Sequence, residues 1–106
     1  MTLVDIASVP DRILAPGFRA RLMHGASLTI MRVQIDAGSH LPRHQHPHEQ
    51  ATTILSGRLQ LTVGETLYDM GPGMTVFIPG GSPHHAFAPV ATEALDVFTP
   101  VREDYR

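Results

Sequence analysis

Six of the seven histidines in this sequence fall in two short stretches: His40, His44, His46 and His48 in the first, His84 and His85 in the second. Histidine is the commonest side-chain metal ligand, and it binds as a neutral imidazole. His44 and His46 are two residues apart, so on an extended strand they point to the same face. Gln50, four residues beyond His46, keeps that parity, and His84 follows the apolar run 75–78. Three imidazoles and an amide oxygen converging from neighbouring strands form a site for one divalent ion, with positions left for water or substrate. His44, His46, Gln50 and His84 are therefore the expected metal ligands. Gln50 is uncharged, so the ion keeps its positive charge, acts as a stronger Lewis acid and attracts an anionic group. This tilts the expectation away from oxygen activation. Nickel, zinc, iron, manganese and copper all suit such donors, and the ligand types do not choose among them.

His40 sits in an expected loop over 38–43, and His48 follows Pro47, where a strand is only beginning. His85 should face away from His84. These three are assigned to the rim or to supporting contacts. Near the C-terminus, Asp96 and Phe98 share one strand face, and Leu95 and Val97 share the other. If Phe98 faces the interior, Asp96 does too. A carboxylate enclosed by apolar residues has a raised pKa and suits acid–base work.

Composition narrows the chemistry further. The absence of cysteine excludes disulfides, thiolate zinc sites, iron–sulfur clusters and thiol nucleophiles. All eight basic residues are arginine, which excludes a lysine Schiff base and an anchored pyridoxal cofactor. The formal net charge is −2 with both signs dispersed, so neither nucleic acid nor a membrane surface is an expected partner. Residues 1–14 carry Asp5, Pro10 and Asp11 and lack the unbroken apolar stretch of a signal peptide. A cytoplasmic location is the expectation.

The elements that must position these residues are strands. Nine glycines and nine prolines interrupt the chain, and no segment sustains apolar residues at helical spacing. Strands are expected over 28–36 (LTIMRVQID), 50–55, 58–63 (RLQLTV), 66–70, 74–78 (MTVFI), 84–88 and 94–99 (ALDVFT). Ser56-Gly57 reads as a hairpin turn joining 50–55 to 58–63, and Gly64-Glu65 as a second tight turn. Residues 100–106 read as a polar tail. Short strands between turns imply a closed all-β barrel or sandwich, occupying 1–106 as one domain with a metal-binding core over about 28–99.

The run GSHLPRHQHPHEQ (38–50) with Gly57 resembles the first cupin motif, and GMTVFIPGGSPH (73–84) resembles the second. The resemblance implies a jelly-roll-like cupin barrel in which the residues matching His44, His46, Gln50 and His84 hold the metal. Gln50 departs from the glutamate usual at its position. The HPHEQ segment with the ending DVFTPVREDY (96–105) resembles the small cupins of pectin and alginate degradation (KdgF). That resemblance implies ring opening of 4,5-unsaturated monouronates to linear keto forms, with Asp96, Phe98 and Arg102 as functional residues. Arg102 would then pair with the substrate carboxylate, Phe98 would pack on the ring and Asp96 would relay the proton. A small anionic substrate, a sugar acid by this resemblance, is the expected partner, together with a second copy in a homodimer through the N-terminal strands. Two alternatives stay open: a metal-dependent dioxygenase on a small organic substrate, and a non-catalytic small-molecule binder.

Overall fold

The computed structural model describes residues 2–106. The strands are β1 (Arg12–Ala15), β2 (Phe18–His24), β3 (Thr29–Ile35), β4 (His40–His44), β5 (Glu49–Ser56), β6 (Leu59–Val63), β7 (Thr66–Met70), β8 (Thr75–Ile78), β9 (His84–Phe87) and β10 (Thr92–Thr99). Short 3-10 turns, Ile6–Ser8 and Glu103–Tyr105, lie near the two ends. The strands form a six-stranded sheet in the order β1-β2-β3-β10-β5-β8 and a four-stranded sheet in the order β4-β9-β6-β7. Every pairing is antiparallel. This is an all-β, jelly-roll-like barrel whose two sheets are hydrogen-bonded separately. No helix among the described residues is long and apolar enough to cross a membrane.

Alternation along the strands builds the interior. In β3, Thr29, Met31, Val33 and Ile35 are buried while Arg32 and Gln34 face solvent. In β10 the inward set is Thr92, Ala94, Asp96 and Phe98; in β5 it is Gln50, Thr52 and Ile54. Leu59 and Leu61 of β6, with His84 and Ala86 of β9, face them from the other sheet. Because β10 lies between β3 and β5, Asp96 has Met31 on one side and Thr52 on the other.

The expected strands appear with ends shifted by at most two residues, but their partners differ from expectation in one case. Residues 50–55 and 58–63 do not form a hairpin: β5 pairs with β10 and β8, and β6 with β7 and β9. Ser56-Gly57 instead carries the chain from one sheet to the other. Gly57 has φ +85°, and a side chain there would meet the Ala91 carbonyl oxygen at 2.3 Å. The second turn is a true hairpin, with Val63 opposite Thr66.

The loop expected over 38–43 is the edge strand β4, which tolerates Pro42 because an edge leaves N–H groups unused. The polar tail also folds back, burying Val101 and Arg102.

Candidate metal centre and cavity

His44 ends β4 and His84 begins β9, and the two are directly paired across the four-stranded sheet. Their rings meet edge to face with centroids 4.2 Å apart. The shared strand expected for His44 and His46 is absent, since β4 stops at His44. A loop brings His46 to the cluster instead. It is pinned by a hydrogen bond from the Gly81 amide to the His46 carbonyl, 2.8 Å. Gly80 passes so close to this loop that a Cβ there would lie 2.3 Å from the Pro47 carbonyl oxygen. One nitrogen from each of His44, His46 and His84 lies within 4.8 Å of the others. Bonds of about 2.1 Å place the donors of one ion at most about 4.2 Å apart, so small side-chain adjustments close the cluster on an ion.

For His44 and His84 the hydrogen bonds choose the tautomer a metal needs. His44 Nδ1 lies 2.8 Å from the Pro42 carbonyl, and His84 Nδ1 lies 2.9 Å from the Ser82 carbonyl. A carbonyl only accepts, so each Nδ1 carries the proton and each Nε2 presents a lone pair. His84 Nε2 is buried without any partner, an arrangement that loses its water unless something occupies the site. His46 Nε2 stands 3.0 Å from Gln50 Oε1. That is a hydrogen bond in the free protein, and it is also the spacing of two adjacent donors with bonds of about 2.1 Å to one octahedral ion.

Gln50 is oriented by its other end. Its amide N–H donates to Thr52 Oγ1 at 2.9 Å, and the Thr52 hydroxyl donates to Asp96 Oδ1 at 2.5 Å. A second, longer contact runs from the amide nitrogen to Asp96 Oδ1 at 3.4 Å. The amide oxygen is thereby turned towards the histidines. These observations fit a divalent ion on His44, His46, Gln50 and His84.

The environment sets the protonation states. Burial lowers the pKa of His46 to about 4, helped by the positive charge of Arg102. Burial also lowers that of His84, against the opposing hydrogen bond to Ser82. Both rings are thus neutral, as ligation requires. Asp96 is 6% exposed, and burial raises its pKa to about 6 despite the hydrogen bonds from Thr52 and Gln50.

His44, Gln50 and His84 open onto a cavity of about 400 Å³ between the sheets, and Thr52, Asp96, Phe98 and Arg102 also line it. That volume suits a small molecule. Arg102 reaches it with its guanidinium over Phe98 (4.7 Å to the ring centroid) and Tyr105 (4.2 Å). Its fork is held by Asp104, with Nε–Oδ1 3.0 Å and Nη2–Oδ2 2.7 Å. The guanidinium edge left for a substrate is therefore the one away from Asp104.

Among the remaining histidines, His85 is exposed, and His40 stacks on Phe87 at the sheet edge, 4.5 Å between centroids. His48 is buried, 5.4 Å from the His46 ring, and Nε2 donates to the Val101 carbonyl at 3.2 Å. It ties the His46 loop to the segment carrying Arg102.

Thr52 and Tyr105 were not among the expected site residues. Thr52 was within reach, being two residues beyond Gln50 on the same strand face. Tyr105 enters only because the C-terminal segment turns back, and no periodicity announces that.

The profile of the Cupin domain family matches residues 31–98. The chain belongs to the cupin family. One relative, the dimethylsulfoniopropionate lyase DddQ of Ruegeria pomeroyi, is 42% identical over 59 residues, 55% of this chain and 29% of that enzyme. The match thus spans less than a third of that relative's length. Its crystal structure superposes with a TM-score of 0.80 at 28% identity, over 92% of this chain and 59% of that one.

An RmlC-like cupin from Shewanella frigidimarina superposes with a TM-score of 0.93 at 20% identity, covering 100% of this chain and 96% of the other. KdgF from a Halomonas species superposes with a TM-score of 0.92 at 22% identity, covering 100% and 99%. At these identities the two likenesses concern the fold. They match the chain nearly end to end.

Proposed function

We propose that this cupin is a metal-dependent enzyme that moves a proton on a small carboxylate substrate without any redox step. Ring opening of a 4,5-unsaturated monouronate is the form of that reaction that the sequence resemblance names. The observation that carries the proposal is Asp96. It is a buried carboxylate with a pKa near 6, linked through Thr52 to Gln50 and facing the cavity onto which the histidine cluster opens. A group half-protonated near pH 6 both takes and returns a proton at neutral pH.

A divalent ion on His44, His46, Gln50 and His84 would supply positive charge to bind the substrate carboxylate and to stabilise negative charge developing beside it. The residues of the chain do the rest. Arg102 offers its free edge to the carboxylate, and the clamp of Asp104, Phe98 and Tyr105 keeps that edge aimed. Phe98 packs against the substrate ring. Asp96 removes the proton of the anomeric hydroxyl. The ring carbon–oxygen bond then breaks with its electron pair going to the former ring oxygen. The proton is returned to the distal alkene carbon. The product is an isomer, so no co-reactant is consumed.

The test is incubation of metal-loaded protein with 4,5-unsaturated galacturonate, following the loss of its ultraviolet absorbance. The expected result is decay well above buffer, falling at least about a hundredfold in Asp96→Asn with metal content preserved. Decay equal to buffer rejects the uronate substrate. Full activity in Asp96→Asn rejects the role of Asp96.

The 42% identical stretch shared with a dimethylsulfoniopropionate lyase favours a second reading within the same class. In an elimination, Asp96 takes a proton from the carbon beside the carboxylate as the leaving group departs. Appearance of an alkene product from that substrate distinguishes the two.

A further inference from the structure

The polar groups of the cavity are gathered at one end. Successive rows across the six-stranded sheet read Thr29–Phe98–Gln50, then Met31–Asp96–Thr52, then Val33–Ala94–Ile54. The histidines lie at the first row's end, and Asp96 is in the second. One pleat repeat further along, about 7 Å, the side chains turn apolar. There Val33, Ile35 and Ala94 line the cavity from one sheet, and Leu59, Leu61 and Ala86 from the other. The backbone offers no substitute, because β3, β10 and β5 are paired on both sides. Alanines stand at 94 and 86 where their lining neighbours carry larger side chains, and they leave the room. A hydroxyl placed here loses its water and gains no partner, whereas an alkyl group gains burial.

We infer that the preferred substrate is a short carboxylate with an apolar tail, its carboxylate at the histidine end and its tail between Ala94 and Ala86. The inference rests on the reading of the histidine end as a carboxylate site, and it replaces the uronate of that reading with a carboxylate whose far end is apolar. A uronate fits only by keeping its hydroxyls among Thr52, Asp96, Arg102 and the rim residues Arg43 and Tyr105.

Calorimetric titration of the nickel-loaded protein with acetate, butyrate, hexanoate and galacturonate tests this. The affinity rises about fourfold for each methylene added until the tail reaches the end wall, and galacturonate binds more weakly than hexanoate. Ala94→Leu fills the apolar end, so it keeps acetate binding and loses the gain from butyrate to hexanoate. If Ala94→Leu does not give a cooperative thermal transition, Ala86→Val makes the same comparison, and the wild-type series stands without either. Equal affinity across the alkyl series, or tighter binding of galacturonate than of hexanoate, overturns the inference and leaves the carboxylate site standing. Failure of all four to bind overturns both.

Discussion

Thr52 joins the two halves of the site's chemistry, since its hydroxyl accepts from the Gln50 amide and donates to Asp96. Thr52→Val keeps the shape and removes both bonds. It leaves the Gln50 amide and Asp96 only their long 3.4 Å contact with each other, so the amide is held less firmly. Metal affinity, measured by competition with a chelator, should fall roughly tenfold. Unchanged affinity would mean that Thr52 does not set the amide's direction. At this scale much was legible. Strand parity alone places Asp96 and Phe98 on one inward face, but for Gln50 it was carried from His46 across a break between β4 and β5. For His46 the rule reached the right neighbourhood for the wrong reason, because a loop and not a strand delivers it. The clamp of Asp104 on Arg102 has no local signature; it depends on residues 100–106 folding back over the cavity.

The elements hold the ligands through a few close backbone approaches. The Gly80-Gly81 turn before β9 touches the His46 loop at two points, the Gly81 amide bond and the gap between Gly80 and Pro47. Gly80→Ala puts a methyl group against backbone, which must move. The expected result is a metal affinity lowered at least about tenfold, with a stability loss of roughly 1–3 kcal/mol, read by chelator competition and urea unfolding. Wild-type affinity in this variant would free the loop of that role. Period-two alternation made β6 and the faces of β10 readable in advance, and β-branched apolar composition did so for β3. Alternation failed for pairing, because β5 and β6 are adjacent in sequence yet belong to different sheets, and it says nothing about partners. It also passed over β4, where Pro42 and two histidines conceal an edge strand, and over β1 and β2, where arginines dilute the pattern.

In the whole molecule, one buried acid, Asp96, and two buried bases, His46 and His84, pull stability in opposite directions. Burial raises Asp96 from 3.8 to about 6. Its contribution is full below about pH 4 and is lost as pH rises through about 6, on the order of 3 kcal/mol. His46, lowered from 6.5 to about 4, contributes fully above about pH 6.5 and loses that contribution as pH falls. Between about pH 4 and pH 6 the acid opposes the two bases. Metal-free wild-type protein should therefore show a shallower pH dependence in urea unfolding than Asp96→Asn. Asp96→Asn should gain stability steeply with rising pH, and parallel profiles would contradict these assignments. Both effects follow from placing the site inside the barrel, between sheets whose strands, with the His46 loop, gather the candidate ligands at one end and apolar walls at the other. The central claim is that three histidines hold one ion at that polar end. X-ray absorption at the nickel edge of the nickel-loaded protein tests it directly. Scattering from three imidazoles, falling to two in His84→Ala, is the predicted result; a spectrum without histidine scattering, or one unchanged by that substitution, would contradict it.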